Sequence, residues 1–155
     1  MKVALMSEQS ITVFDADGMI AGRLAAKMAK AALMGNHVVV VNVEKAIITG
    51  DRRTVIDAYK TKREIRNSAN PTKGPFHEKR PDRMFRRMVR GMLPWSTPRA
   101  RAAYKRVRVF IGVPGEFAGN EKTVLEDSRY RSPRRKHVTM GDLSHELGWT
   151  GLEVA

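Results

Sequence analysis

The sequence contains no cysteine among its 155 residues. That absence excludes a disulfide framework, a zinc site built on thiolates and a cysteine nucleophile. Long apolar runs are also lacking, since all of them fall far short of the roughly 20 residues that a membrane-spanning helix needs. After Lys2 only residues 3–6 are apolar, whereas a secretory signal has an apolar core of about 7–15 residues. We therefore expect a soluble, intracellular protein without a signal peptide.

Acidic residues are scarce in one third of the chain. Overall, 29 Lys and Arg outnumber 16 Asp and Glu, which gives a net charge of +13. Residues 60–108 contain 16 of the basic side chains and only 3 of the acidic ones, so that third carries the whole excess. A patch of this density repels itself unless a polyanion neutralises it, and nucleic acid is the commonest intracellular polyanion. An anionic membrane surface is the alternative, but it usually binds a basic helix with bulky exposed apolar residues.

Length and composition predict one folded domain. A chain of this size buries roughly 70% of the surface that its unfolded form exposes, and its 42% hydrophobic content can supply a core. We divide it into an N-terminal tail over 1–10, an α/β domain over 11–114 and a C-terminal extension over 115–155. The basic region 60–108 belongs to the α/β domain, and the extension is polar and partly basic.

Hydrophobic periodicity and turn residues predict alternating strands and helices. In chain order, the predicted elements are strand 11–14, helix 20–34, strand 38–41, helix 52–63, helix 82–92, a short helix capped by Thr97, strand 107–113 and helix 142–147. Residues 46–48 are either a third short strand or the end of a loop. The four valines of 38–41 leave no polar face, which is typical of a central parallel strand. The alternation indicates an α/β layered domain with a mainly parallel sheet.

The helix over 82–92 has two opposed faces. Its apolar face, which we expect to pack in the core, consists of Met84, Phe85, Met88, Val89 and Met92. Its basic face consists of Arg83, Arg86, Arg87 and Arg90. A merely solvated face normally mixes both signs of charge, whereas this stripe has no acidic residue. We therefore expect these four arginines to bind phosphates, because a planar guanidinium can contact two phosphate oxygens at once.

The loop over 67–79 combines basic groups with an aromatic ring. Lys73, His77 and Lys79 surround Phe76 in the sequence, and such a mixture can bind phosphates while the ring stacks on unpaired bases. The alternative is an ordinary surface loop with Phe76 packed into the core, and the sequence favours neither. Trp95 presents the same two alternatives, of which core packing is favoured.

Further basic residues extend this field. Those expected to contact nucleic acid around the helix are Arg63, Arg66, Arg80, Arg99, Arg101, Lys105 and Arg106. Those in the extension are Arg131, Arg134, Arg135 and Lys136. We expect the cluster from Arg129 to Lys136 to form an arm that becomes ordered only when bound.

Catalytic patterns are weak throughout the chain. The glycines of 18–22 follow a strand and open a helix, but they match neither of the phosphate-binding glycine motifs; a tight turn and close helix packing explain them. His145 is followed by glutamate as in a zinc protease, yet Trp149 stands where the second histidine would be. Asp15 and Asp17 flank one turn and are interpreted as turn and cap residues. We expect no catalytic residue, metal site or cofactor.

Short motifs stand in a distinctive order between residues 11 and 114. They are Asp15-Ala16, Gly22-Arg23-Leu24-Ala25, Val38-Val39-Val40-Val41-Asn42, Thr49-Gly50, Asn70-Pro71, Gly74-Pro75-Phe76-His77, Arg80-Pro81 and Val89-Arg90-Gly91-Met92-Leu93-Pro94. This series resembles the ribosomal protein L13 family of the large subunit. The Asn-Pro and Gly-Pro-x-His pieces resemble its archaeal and eukaryotic branch.

The resemblance implies a three-layer α/β/α sandwich around a short, mainly parallel sheet of about four strands. It also implies a cytoplasmic structural protein of the large ribosomal subunit that binds and helps to fold large-subunit RNA and contributes to subunit assembly and translation. Neighbouring ribosomal proteins would be its other partners, with no enzyme activity, membrane or small-molecule substrate.

Two alternatives remain open from the residues alone. An RNA-modifying enzyme of the Rossmann-like type would need a cofactor site, which the motifs do not supply. A free-standing RNA-binding regulator would carry the same basic patch but would be absent from ribosomal fractions.

Overall fold

The computed structural model describes residues 11–132 and 134–151. Its strands and α-helices, in chain order, are β1 Ile11–Asp15, α1 Ala21–Leu33, β2 His37–Val41, β3 Ile47–Thr49, α2 Arg52–Glu64, α3 Pro81–Gly91, α4 Pro98–Lys105, β4 Val107–Val109, β5 Lys122–Thr123, β6 His137–Thr139 and α5 Met140–Glu146. Residues 1–10, the predicted tail, lie outside the described residues.

The main sheet has four parallel strands in the order β4-β2-β1-β5. Its centre is β2, whose Val38, Val40 and Val41 are fully buried and whose Val39 is nearly so. Phe14 of β1 aligns with Val40, and Val38 aligns with Val107 of β4. The predicted parallel sheet of about four strands, with the valine run at its centre, is confirmed.

A second, two-stranded sheet lies outside the main one. Residues 46–48, which the sequence leaves between strand and loop, contribute to β3, and β3 pairs antiparallel with β6. The strand predicted over 107–113 was wrong in length, since β4 ends at Val109. Beyond it the chain turns at Gly112, whose φ of +65° favours glycine. The Gly112 carbonyl there accepts from the backbone N–H of Asn42 at 2.9 Å.

Helices cover one face of the main sheet. Leu24, Ala25 and Met28 of α1 are fully buried in a core cluster that also includes residues of α3, α4 and the sheet. On the opposite face, Val13, Val39 and Val41 pack with Phe117, which belongs to a short 3-10 turn, and with Phe110. The α/β class with a parallel sheet flanked by helices is confirmed and fits the expected three-layer sandwich.

The residues after 114 are more integrated than a loose polar extension. They supply β5 at the edge of the main sheet, β6 of the small sheet, and α5. Val138, Met140, Leu143 and Leu147 are buried in the same core cluster as α1 and α3. The predicted helix over 142–147 is confirmed as α5, which starts two residues earlier and ends one residue earlier than predicted. The strands escaped prediction because two or three residues are too few to show a period of two.

The glycines before α1 have different roles. Gly18 has a φ of +68°, which confirms the tight-turn interpretation. Gly22 is exposed, and a Cβ added there would meet no atom within 4 Å. The expectation of close helix packing at Gly22 was therefore wrong, because its side of α1 faces solvent.

Candidate nucleic-acid interface

The basic helix α3 is fixed in the core by its apolar side. Pro81 occupies its first turn, and Met84, Phe85 and Val89 are buried. Met88 is half-buried and packs against the same cluster, so four of the five predicted core contacts are confirmed. Met92 is the exception, with 43% of its surface exposed. It follows the last residue of α3, so the helical pattern no longer places its side chain on the buried face.

The arginine stripe of α3 divides into two pairs. Arg83 and Arg87 are exposed. Arg83 Nη1 lies 3.4 Å from Glu78 Oε2, and Arg87 Nη2 donates to the Phe76 carbonyl at 3.5 Å. The stripe therefore faces one acidic side chain, which the helix periodicity did not reveal because Glu78 lies in the preceding loop.

The other pair, Arg86 and Arg90, is half-buried against aromatic rings. The Arg86 guanidinium carbon lies 4.5 Å from the Tyr104 ring centroid, and that of Arg90 lies 4.2 Å from the Trp95 ring centroid. The two rings meet edge to face at 5.2 Å, so all four residues form one arginine–aromatic stack. Arg86 Nε is buried without a hydrogen-bond partner. Trp95 is half-buried in this stack. It is therefore neither fully packed in the core nor fully exposed for stacking on a base.

Four more arginines predicted to contact RNA donate to backbone carbonyls of the protein. Arg99 Nη2 and Arg106 Nη1 donate to the Leu33 and Ala32 carbonyls at 3.0 and 3.2 Å, at the carboxyl end of α1. Arg101 Nε donates to the Trp95 carbonyl at 3.2 Å, and Arg63 Nη1 donates to the Leu147 carbonyl at 2.8 Å. Arginine at the carboxyl end of a helix satisfies carbonyls that lack a partner in the helix and stabilises its dipole. These side chains therefore have a structural role.

Replacing Arg106 by glutamine should lower the free energy of unfolding by about 1–2 kcal/mol, because a charged hydrogen bond to the end of α1 is lost. Urea unfolding followed by circular dichroism measures this. The matched control is Lys105→Gln, since Lys105 is exposed and has no hydrogen bond or ion pair within the described residues. Its effect should stay within about 0.5 kcal/mol. Equal effects of the two substitutions would contradict the structural role of Arg106.

The loop over 67–79 is confirmed as a loop, and its own side chains shape it. Asn67 Oδ1 accepts from the backbone N–H groups of Ala69 and Asn70, and Asn70 Oδ1 accepts from that of Thr72. A Cβ on Gly74 would lie 3.0 Å from the Asn67 backbone nitrogen, so a larger residue there would push the two segments apart by a few tenths of an ångström. The loop presents Lys73, His77 and Lys79 on the surface, together with Phe76, 61% of which is exposed. The alternative in which Phe76 packs into the core was wrong.

A cavity of about 320 Å³ separates α2 and α3 beside this loop. Tyr59 and Lys62 line it from α2, Phe76 from the loop, and Met84 and Met88 from α3. The Lys62 ammonium lies 5.0 Å from the Tyr59 ring centroid. Burial raises the pKa of the Tyr59 hydroxyl. Tyr59 and Lys62 were missed from sequence, although their spacing of three on a predicted helix places them on one face.

Two basic residues of the extension contact other parts of the chain. Arg131 Nη2 donates to the Glu126 carbonyl at 3.0 Å. Lys136 Nζ donates to Asp51 Oδ1 at 2.7 Å; this hydrogen bond, with the attraction between the charges, lowers the pKa of Asp51 and raises the pKa of Lys136. Arg134 and Arg135 are exposed. That this arm becomes ordered only when bound stays a prediction.

A second basic cavity, of about 430 Å³, adjoins the start of α1. Four guanidinium groups line it, from Arg23, Arg129, Arg131 and Arg135. Arg23 was not predicted as an RNA contact, because the fold alone brings α1 next to the extension: the Ile20 N–H donates to the Ser128 carbonyl at 2.8 Å. Arg129 belongs to the predicted arm but was not among its predicted RNA contacts. The cluster could bind a phosphate group through several charged hydrogen bonds.

The cationic side chains divide into engaged and free groups. Among the predicted contacts, those whose side chains have no hydrogen bond, ion pair or ring contact within residues 11–132 and 134–151 are Arg66, Lys73, Lys79, Lys105, Arg134 and Arg135. Arg80 is engaged, since its guanidinium donates twice to the Asp82 carboxylate at 3.1 Å. A free, exposed cation needs no internal partner to be replaced before it binds a phosphate.

Other kinds of site were sought in the same residues. Asp15 Oδ1 accepts from the Asp17 N–H at 3.0 Å and from Asn42 Nδ2 at 2.9 Å, which confirms a turn role. The described part of the chain contains no cluster of three or more potential metal-ligating side chains. It also contains no helix with the length and apolar character needed to cross a bilayer.

Comparison with known proteins gives a consistent result. A family model described as "Ribosomal protein L13" matches residues 9–116. Three relatives are each named "Large ribosomal subunit protein uL13". That of Archaeoglobus fulgidus is 47% identical over 91% of this chain and 90% of its own length. That of Methanopyrus kandleri is 46% identical over 89% and 87%, and that of Methanocaldococcus jannaschii is 42% identical over 89% and 98%. The chain therefore belongs to the ribosomal protein L13 family.

Proposed function

We propose that this chain is a structural constituent of the large ribosomal subunit in the cytoplasm, where it binds and helps to fold large-subunit RNA. The observation that carries this proposal is its membership of the ribosomal protein L13 family over most of its length. The concentration of the net charge in residues 60–108 supports it, because RNA is a polyanion. In this role the chain contributes to subunit assembly and translation.

The mechanism is neutralisation of phosphates that would otherwise repel one another. Lys73 and Lys79 of the loop over 67–79 and Arg83 and Arg87 of α3 are exposed. The loop lies against α3, because Arg83 contacts Glu78 and Arg87 donates to the Phe76 carbonyl. Each exposed cation can contact a different RNA segment, so that the protein holds the segments together. Recognition follows A-form shape and irregular loops, because the RNA major groove is too deep and narrow for side chains to read.

We also propose that the role is not catalytic and that the partners are ribosomal RNA and neighbouring ribosomal proteins, without a membrane or a small-molecule substrate. Polar groups at the turn before α1 serve the turn itself, as the contacts of Asp15 indicate. Saturable binding and turnover of a nucleotide or methyl donor by the purified protein would contradict this proposal.

Sedimentation of cell extract through a sucrose gradient tests the ribosomal role, with the protein followed by immunoblot at moderate and at high salt. We expect the protein to migrate with the large subunit under both conditions, because the assembled particle encloses many of its contacts at once and salt screens buried charges much less than exposed ones. If it stays at the top of the gradient at both salt concentrations, the ribosomal role is wrong and a free RNA-binding regulator replaces it.

A further inference from the structure

The cavity between α2, α3 and the loop over 67–79 has an apolar floor and a charged rim. Met84 forms part of the buried core, while Tyr59 and Met88 are half-buried against it. Phe76 completes the apolar lining but leaves 61% of its surface exposed. An aromatic ring held at the surface beside an open apolar cavity lacks an internal packing partner. It offers a planar face on which another ring can stack.

The rim of the cavity is mainly cationic. Lys62 lies over the Tyr59 ring, and Arg87 Nη2 donates to the Phe76 carbonyl, which connects the loop to α3 at this point. A ligand that enters here meets positive charge before it meets the apolar floor. This order suits a nucleotide, whose phosphate stays at the rim while its base leaves water.

Two polar groups could read the edge of a base. Glu78 lines the cavity, and only one of its oxygens, Oε2, contacts Arg83. A carboxylate accepts hydrogen bonds from ring or exocyclic N–H groups of a base. The Tyr59 hydroxyl has no hydrogen-bond partner within the described residues, and burial raises its pKa, so it stays protonated and can donate at neutral pH.

The size of the cavity limits its occupant. A volume of about 320 Å³ lies at the lower end of the range of about 300–1,000 Å³ that is usual for small-ligand sites. It suits one planar ring system and is small for a helix or an extended peptide. The cationic rim also disfavours a basic segment of a neighbouring ribosomal protein.

We propose that this cavity takes one unpaired nucleobase of the RNA, which stacks on Phe76 above Met84 and Met88 while its phosphate contacts Lys62 and Arg87. This inference rests on the proposed function for its RNA partner. It adds a site that reads a single splayed nucleotide to an interface otherwise made of phosphate contacts. Such a site fixes the position of the protein along the RNA chain, which charge alone does not do.

Binding of two short RNA oligomers by the full chain tests the cavity directly. One oligomer is single-stranded oligoadenylate, and the other has the same ribose-phosphate backbone without bases. Phe76→Leu should weaken oligoadenylate binding about 5- to 100-fold, the usual effect of losing one stacked base. It should leave both the abasic oligomer and the salt dependence unchanged. The matched control is Phe110→Leu, on the opposite face of the sheet, which should change neither affinity.

Ultraviolet crosslinking of purified large subunits, followed by mass spectrometry, tests the same site in the assembled particle. We expect nucleotide adducts on Phe76 or Tyr59. The proposal is overturned if Phe76→Leu binds oligoadenylate like the unaltered chain, or if the unaltered chain does not distinguish the two oligomers. It is also overturned if Phe76 is protected from solvent in the subunit without any nucleotide adduct, because a protein segment then fills the cavity.

The two proposals fail in different ways. Co-sedimentation with the large subunit together with an unaffected Phe76→Leu variant removes the base site and leaves the ribosomal role intact. Absence of the protein from the large subunit would contradict the ribosomal role. Oligomer binding would then test the base site independently. An unchanged urea midpoint of Phe76→Leu shows that its effect is on binding, as expected for an exposed ring.

Discussion

Replacing Phe85 by alanine should lower the free energy of unfolding by about 3–5 kcal/mol, the usual cost of truncating a buried phenylalanine. Phe85 is fully buried and is the largest of the fully buried side chains. It lies in the cluster that joins α3 to α1 and to the sheet. Because a domain of this size is stable by only about 5–15 kcal/mol, the variant should also be depleted from large subunits. Urea unfolding and gradient sedimentation measure the two effects.

Met92→Ala is the matched control, since Met92 was predicted to share the buried face of α3 but is 43% exposed. Its effect on stability should stay within about 0.5 kcal/mol. A loss of less than about 1 kcal/mol for Phe85→Ala would show that this ring does not anchor α3. A large loss of stability for Met92→Ala would show that Met92 belongs to the buried apolar face of α3 with the other four residues.

Elements with a strong pattern were predictable from the sequence. Four consecutive valines between two turns allowed β2 to be placed at the centre of a parallel sheet, and the fold places it there. Thr97 was predicted as the cap of α4, and its Oγ1 accepts from the Ala100 N–H at 3.3 Å. In both cases the information is local: it lies within a few residues and needs no knowledge of the partner elements.

The pairing of short strands was not predictable in the same way. The pairing of β3 with β6 joins Ile48 to Val138 across 90 positions of chain. Neither strand exceeds three residues, so neither has enough alternation to identify its buried side. These pairs form because the rest of the fold brings the two segments together. The residues that pair are far apart in the sequence, so no short stretch of it identifies them.

The candidate interface shows the same division between local and distant information. The charge of region 60–108 was visible in the sequence, but the partner of each cation was not. Arg99 and Arg106 donate to the end of α1, more than 60 positions earlier in the chain. On α3, helical periodicity shows which residues share a face. It does not show that Tyr104 and Trp95 pack against the basic face. A basic stripe therefore contains arginines that pack within the protein as well as arginines that are exposed.

The two arginine pairs of α3 should respond differently to neutralisation. On the proposed function, changing the exposed pair Arg83 and Arg87 to glutamine should remove two phosphate contacts. The slope of log K against log salt should then become shallower by about 1.4–1.8, since each contact contributes about 0.7–0.9. At 0.1 M salt this corresponds to an affinity loss of about 25- to 60-fold. Stability should change little, because both side chains are exposed and their contacts are long.

Changing Arg86 and Arg90 to glutamine should instead act on the fold. Each substitution removes a guanidinium from an aromatic ring in the arginine–aromatic stack, which costs about 0.5–2 kcal/mol per contact. The pair should lose about 1–4 kcal/mol of unfolding free energy. Replacing all four arginines together should therefore lower the stability of the fold as well as the salt dependence of binding.

A third pair provides the control for charge. Arg52→Gln with Arg53→Gln removes the same two charges from α2, outside region 60–108, where the partners are Glu146 at 2.7 Å and Asp57 at 3.8 Å. Binding of all three double variants to large-subunit RNA is measured across a salt series, with urea unfolding in parallel. The control should keep the slope of the unaltered chain. If the two α3 pairs flatten the slope equally and neither loses stability, the stacked arginines also face the RNA, and the division of the stripe is wrong.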